Sequence, residues 1–107
     1  MIGSKEVRKI IYSLKKEAGK VLGKNLVDVI LFGSYAREDF APESDIDVLI
    51  VVNRSLTREE KDKMSRVIST LSLENEVVIA CIIYEKEFFD NVRSPLILNV
   101  KEEGVKV

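Results

Sequence analysis

The sequence predicts a small α/β (α+β) fold in which helices flank a mixed sheet. Stretches with apolar residues at helical spacing alternate along the chain with short runs rich in β-branched residues. These runs are apolar on both faces, as strands are when helices cover both sides of a sheet. A length of 107 residues fits one domain, residues 1–107.

The first half of the chain begins with a predicted helix. Apolar residues recur at three- and four-residue spacing over 7–22, which indicates an amphipathic helix that Gly23 can end. A β-branched run over 26–32 predicts the first strand, and Gly33 stops it. Ser34 is a suitable N-cap for a short helix. This short helix is predicted over 35–38, and the second strand over 45–52.

The second half adds further helices and strands. Thr57 and Glu60 match the T-x-x-E capping box at the start of a helix. A third strand is predicted over 76–84. Pro95 suits the first position of a later helix, because its missing N–H would be unpaired there anyway. The remaining predicted features are a short helical piece at Phe88 and Phe89, the end of the last helix at Gly104, and an edge strand over 105–107.

The chain contains no histidine and a single cysteine, Cys81. These counts exclude a Ser-His or Cys-His nucleophile, an internal disulfide and a cysteine-based zinc cluster. Because Cys81 lies in an apolar run, we interpret it as a small buried hydrophobe. A metal here would need oxygen ligands, which favours magnesium, manganese or calcium.

Charge and hydropathy argue against other classes. A net charge of -1 does not indicate a chain that coats nucleic acid or a membrane surface. The apolar runs are too short to span a bilayer, and the N-terminus shows no signal peptide. We therefore expect a cytoplasmic protein without a membrane partner or a direct nucleic-acid ligand.

Two carboxylates, Asp45 and Asp47, mark the start of the second strand. Because strand side chains alternate, both project from one face, roughly 7 Å apart. Paired carboxylates repel each other unless a cation lies between them, and magnesium prefers a few carboxylates plus water and phosphate oxygens. The pair therefore predicts a half-open metal site.

An anion site is predicted at Gly33–Ser34, where the first strand turns into a helix. Glycine lets a phosphate approach the backbone, helix-start N–H groups favour an anion, and the Ser34 hydroxyl adds a donor. Arg37 has two interpretations, a contact to a phosphate oxygen or an ion pair that clamps the carboxylate loop. Each feature alone has an ordinary explanation as a turn, a charged edge or a surface residue. Their joint occurrence in this order favours phosphoryl or nucleotidyl transfer.

The segment G-S-Y-A-R, followed by a loop and S-D-I-D-V-L-I, resembles the G-S-x-A-R-G and S-D-x-D motif of the DNA polymerase β-like nucleotidyltransferase superfamily. In its short length the chain resembles the minimal nucleotidyltransferase (MNT) branch of that superfamily, of the antitoxin type. The resemblance implies a nucleotidyltransferase fold in which Gly33 and Ser34 hold ATP or another NTP. It also implies that Asp45 and Asp47 ligate two magnesium ions, with manganese as an alternative.

The resemblance further implies transfer of AMP from ATP, with attack on the α-phosphate and release of pyrophosphate. Members of the MNT branch commonly pair with a small helical HEPN protein, and in such pairs the MNT chain can act as an antitoxin by adenylylating its partner. With one domain predicted, we expect the acceptor to be a partner protein, such as a HEPN protein, or to be bound at a shared surface. The sequence leaves a homo-oligomer open.

The sequence departs from the family motif at two points. Glu38 replaces the glycine after the arginine. The third strand lacks the aspartate that active relatives carry as general base and metal ligand. Glu76, at the predicted start of that strand, would share a face with Val78 and Ala80 and is our candidate substitute. Three hypotheses remain: a metal-dependent nucleotidyltransferase, a catalytically degenerate MNT domain that binds nucleotide or a partner, and a structural domain with a coincidental motif.

Overall fold

A computed structural model describes residues 4–39 and 44–107. Its helices and strands follow in the predicted order, and most of the loop before the second strand lies outside the described residues. The elements are α1 (Ser4–Leu22), a 3-10 turn (Gly23–Asn25), β1 (Leu26–Phe32), α2 (Ser34–Arg37), β2 (Ile46–Val52), α3 (Arg58–Asn75), β3 (Ile79–Glu85), α4 (Lys86–Asn91), α5 (Pro95–Glu103) and β4 (Val105–Lys106). No helix in this described part is long and apolar enough to cross a membrane.

The four strands of residues 4–39 and 44–107 form one mixed sheet in the order β3-β2-β1-β4. β1 pairs antiparallel with β2 and with β4, while β2 pairs parallel with β3. Phe32 at the end of β1 lies opposite Asp47, and Ala80 of β3 lies beside Asp47 on the other side. Asp47 is therefore on a central strand with a neighbour on each side. The short β4 confirms the predicted edge strand.

Side-chain alternation along β2 divides the core into two layers. Ile46, Val48 and Ile50 pack beneath α1 and α3, whereas Leu49 and Val51 pack on the opposite face with α5. These five aliphatic side chains are at most 1% exposed, and burial of each contributes roughly 1.5–3 kcal/mol. This burial fixes β2 in place and so fixes the position of Asp47, which lies on the α5 face.

Local caps set the ends of the helices. The Thr57 hydroxyl accepts from the Glu60 N–H at 3.1 Å and the Glu60 carboxylate accepts from the Thr57 N–H at 2.8 Å, which confirms the capping box. Pro95 opens α5 as predicted. The predicted cap of α2 is wrong by one residue, since Gly33 holds the N-cap position and Ser34 begins the helix. The turn into α2 occurs at Gly33, one residue earlier than predicted, because glycine adopts a φ of 76° without strain.

The third strand begins later than predicted. α3 continues to Asn75, and Glu76 is its C-cap in the left-handed region at φ 52°. The Glu76 N–H donates to the carbonyls of Ser72 and Leu73 in the last helical turn. Glu76 therefore belongs to the end of α3 and does not extend β3, which starts at Ile79. The expectation that Glu76 shares a strand face with Val78 and Ala80 is therefore wrong.

Cys81 lies on β3 against the α1 and α3 layer of the core. Burial raises the pKa of its thiol to about 12, so the thiol stays protonated and unreactive at neutral pH. The interpretation of Cys81 as a small buried hydrophobe agrees with this placement.

Candidate functional site

The turn after β1 places Gly33 directly against Asp47. A β-carbon added to Gly33 would lie 2.3 Å from the Asp47 Oδ2 atom and 3.1 Å from its Cγ atom. The Asp47 carboxylate therefore occupies the space that a side chain at Gly33 would need. The fold therefore brings the residue predicted for the anion site, Gly33, directly beside the predicted metal carboxylate, Asp47.

The electrostatic setting of Asp47 suits a cation. Burial raises the pKa of Asp47 above its ordinary value, and the charge of Asp45 raises it further, while Arg37 opposes the shift. An ionised pair of this kind is held at an energetic cost, which a bound divalent cation relieves. Asp45 itself is exposed and immediately precedes β2, so the pair opens toward solvent.

Arg37 forms two ion pairs that anchor α2. Its Nε atom donates to Asp39 Oδ2 at 3.1 Å, and its Nη1 atom donates to Glu103 Oε2 at 3.1 Å. Both carboxylates raise the pKa of Arg37, with the Asp39 hydrogen bond as the larger cause. These ion pairs hold Arg37 to carboxylates outside the Asp45–Asp47 pair, and its contact with a phosphate oxygen stays a prediction. Glu103 was missed because it lies at the far end of the chain and no local pattern links it to Arg37.

Ser34 is half-buried at the start of α2, whose first turn closes when the N–H groups of Ala36 and Arg37 donate to the Gly33 carbonyl. The hydroxyl-bearing residue is thus adjacent to the glycine that contacts Asp47. All predicted site residues except Glu76 therefore lie together where β1 ends and β2 begins.

The strand neighbour of Asp47 on β3 is Ala80. A third carboxylate on β3 would have to lie at this register position, and alanine supplies none. Glu76 is exposed and lines a surface cleft of about 1120 Å³ that Asp45 also lines, with α1 on the far wall. Within residues 4–39 and 44–107, no group of three or more His, Cys, Asp or Glu side chains could hold a metal.

Comparison with known sequences identifies the family. The sequence profile of the nucleotidyltransferase domain matches residues 6–107. A Methanocaldococcus jannaschii protein is 41% identical to this chain over 102 residues, which cover 95% of this chain and 99% of that protein. Its name places it among the protein adenylyltransferases. Both findings support nucleotide transfer as the class of reaction.

Two solved structures share the fold. Spectinomycin adenylyltransferase of Enterococcus faecalis, with ATP and spectinomycin, has a TM-score of 0.71 at 28% identity, covering 82% of this chain and 38% of that chain. A chain of the Shewanella oneidensis complex between an MNT antitoxin and a tri-AMPylated HEPN toxin has a TM-score of 0.61 at 16% identity, covering 94% and 70%. These likenesses confirm the predicted fold class. Together with the profile match over residues 6–107 and the 41% identical relative, they show that the chain belongs to the nucleotidyltransferase domain family.

Proposed function

We propose that this chain is a metal-dependent nucleotidyltransferase that transfers AMP from ATP to an acceptor on a HEPN-type partner protein. The observation that carries the proposal is the contact between Gly33 and Asp47, which joins a phosphate-accessible turn to a carboxylate pair. The name of the Methanocaldococcus jannaschii relative and the AMPylated toxin of the Shewanella oneidensis complex support adenylyl transfer to a protein.

Each site residue has a proposed role. Gly33 leaves its backbone open to a phosphate, and the Ser34 hydroxyl donates to a phosphate oxygen. Asp45 and Asp47 hold two magnesium ions, or manganese in their place, because a half-open carboxylate pair suits hard cations that keep water and phosphate ligands. Bound there, the metal neutralises charge on the phosphates. Arg37 fixes α2, and so fixes Ser34, through its ion pairs with Asp39 and Glu103.

The acceptor must lose a proton when its oxygen attacks the α-phosphate. Ala80 cannot take this proton, although its position beside Asp47 is the one a carboxylate on β3 would need. Glu76 stays our candidate base because it lines the same cleft as Asp45. We place the acceptor in this cleft, where Glu76 or a group of the partner protein accepts the proton.

Ala80 also favours a second candidate function. A domain that keeps Gly33, Asp45 and Asp47 but has no carboxylate beside Asp47 on β3 is equipped to bind a metal–nucleotide complex without transferring it. In this alternative the chain is a catalytically degenerate antitoxin module that binds nucleotide and its partner.

A transfer assay with [α-32P]ATP and magnesium distinguishes the proposed enzyme from the degenerate module. The chain is incubated with extract of its native host, and both protein labelling and pyrophosphate release are measured. The proposed enzyme labels an acceptor protein, and the Asp45→Asn/Asp47→Asn variant does not, whereas Asp62→Asn, an exposed carboxylate on α3, labels like the wild type. Magnesium-dependent ATP binding without label or pyrophosphate would favour the degenerate module. An absence of both binding and transfer would contradict both candidates.

A further inference from the structure

The outer edge of β3 lacks the features that normally prevent strand pairing. In the described part of the chain, β3 is the last strand on its side of the sheet, and its register with β2 runs without a bulge. Its first six residues, Ile79 to Tyr84, include no charge, proline or glycine. Natural edge strands usually carry such residues because an unprotected edge pairs with other strands. This edge is therefore suited to pairing with a further strand.

The register shows which backbone groups face this edge. The Ile46 N–H donates to the Val78 carbonyl at 2.8 Å, and in a parallel ladder every second residue pairs with the same neighbour. The N–H and C=O groups of Ile79, Cys81 and Ile83 therefore point away from β2. Among the described residues, no backbone hydrogen bond links these groups to another element. A row of donors and acceptors is thus available to a partner strand.

Exposed apolar side chains flank both ends of the same edge. Val78, which is 60% exposed, precedes β3, and Leu73, on the last turn of α3, is 79% exposed. Phe88 follows β3 on α4 and is 45% exposed. When two copies of an edge pair antiparallel about a two-fold axis, the amino end of one strand meets the carboxyl end of the other. Val78 of one copy then lies near Phe88 of the second copy, so the edge is complementary to itself.

We propose that this chain forms a two-fold homodimer through antiparallel pairing of β3 with β3. An axis at Ile82, the middle residue of the strand, pairs its whole length and forms about eight main-chain hydrogen bonds. In this register the small Ala80 lies across from the large Tyr84 of the second copy, and Glu85 lies across from Ile79 and not from another charge. Ala80 is also the neighbour of Asp47, so the dimer brings a second tyrosine to the face that carries the site.

The first test measures mass by light scattering over a wide concentration range, under reducing conditions. The wild type should have twice the mass of one chain. Cys81→Pro removes an N–H that faces the open edge and leaves the ladder with β2 intact, so its dimer should dissociate at least tenfold more readily. Cys81→Val keeps that N–H and should remain dimeric. A wild type that stays monomeric at every concentration would overturn the proposal.

Hydrogen exchange of the wild type tests the same edge without any substitution. The amides of Cys81 and Ile83 should be protected at high concentration and exchange faster on dilution, whereas the Ile82 amide, which bonds to β2, should not change with concentration. A dimer in which the Cys81 and Ile83 amides exchange freely would be formed by another surface and would overturn the proposal. This measurement decides the matter even if Cys81→Pro fails to fold.

Discussion

A β-carbon on Gly33 would lie 2.3 Å from Oδ2 of Asp47, well inside any permitted contact. The Gly33 backbone, directly after β1, therefore packs against the Asp47 carboxylate near the start of β2. The φ of 76° at Gly33 independently requires glycine. This relationship brings two separate sequence motifs into direct contact.

Gly33→Ala is expected to destabilise the fold by more than about 1 kcal/mol, because alanine is strained at positive φ and its methyl group clashes with Asp47. Gly19→Ala is the matched control, since Gly19 is inside α1 with no atom within 4 Å of an added β-carbon. That control should stabilise by roughly 0.5–1 kcal/mol. Thermal denaturation measures both. Equal melting temperatures for Gly33→Ala and the wild type would contradict both the strain at positive φ and the clash with Asp47.

Asp47→Asn should raise the melting temperature of the ligand-free protein at neutral pH. The pKa of Asp47 in the fold is raised above its ordinary 3.8, mainly by burial and then by Asp45. The fold therefore favours the protonated form, and stability falls as pH rises through the raised pKa. Below pH 3.8 the carboxyl is protonated in both states, so the advantage of asparagine should disappear.

The control for this variant is Asp62→Asn, which removes an exposed carboxylate of α3 and should leave the melting temperature nearly unchanged at both pH values. A loss of stability in Asp47→Asn at neutral pH would mean that the ionised carboxylate is stabilised in the ligand-free fold. That result would remove the electrostatic argument for a cation site.

Ala80→Asp should increase the rate of nucleotide transfer at least tenfold, because it places a carboxylate beside Asp47 at the register position that now carries none. The asparagine of Ala80→Asn has nearly the same shape as that aspartate but cannot act as a base, so this variant should not increase the rate. Turnover is followed by pyrophosphate release, with nucleotide affinity measured in parallel. If both variants bind ATP normally and neither is faster, the missing carboxylate does not limit catalysis.

The capping box of α3 predicts a distinct loss of stability in acid. The bond from Arg54, followed by the Thr57 N–H, lowers the pKa of Glu60 from 4.5 to about 2. Stability from this lowered pKa is complete above pH 4.5 and is lost as pH falls toward 2. Glu60→Gln should therefore be less stable than the wild type at neutral pH, with the difference shrinking over this interval. Urea denaturation at several pH values measures it, and a difference independent of pH would contradict the assignment.

Local patterns predicted most of the elements because they depend on neighbouring residues. The Thr57 capping box, the strand stop at Gly33 and the Asp45–Asp47 alternation are all readable within a few positions. Glu76 was misplaced because α3 continues one turn longer than its clear apolar spacing, and a left-handed residue at its end carries no local sequence signal here.

Features that depend on tertiary pairing could not be predicted from local pattern. The bond of Arg37 to Glu103 joins residues 66 positions apart. The position of Ala80 beside Asp47 follows from strand register, which nothing near either residue specifies. The buried Asn25 is a similar case, since its side chain exchanges hydrogen bonds with the Arg54 backbone at the opposite end of β2.

We propose that Gly33, Asp45 and Asp47 together bind a metal-bound triphosphate. Isothermal titration of ATP, with and without magnesium, tests this on the wild type and on Asp45→Asn/Asp47→Asn. Binding to the wild type should require magnesium and be lost in the double variant, while Asp62→Asn should bind normally. Equal binding of ATP to the wild type and the double variant, or no binding to either, would show that these residues do not form a nucleotide site.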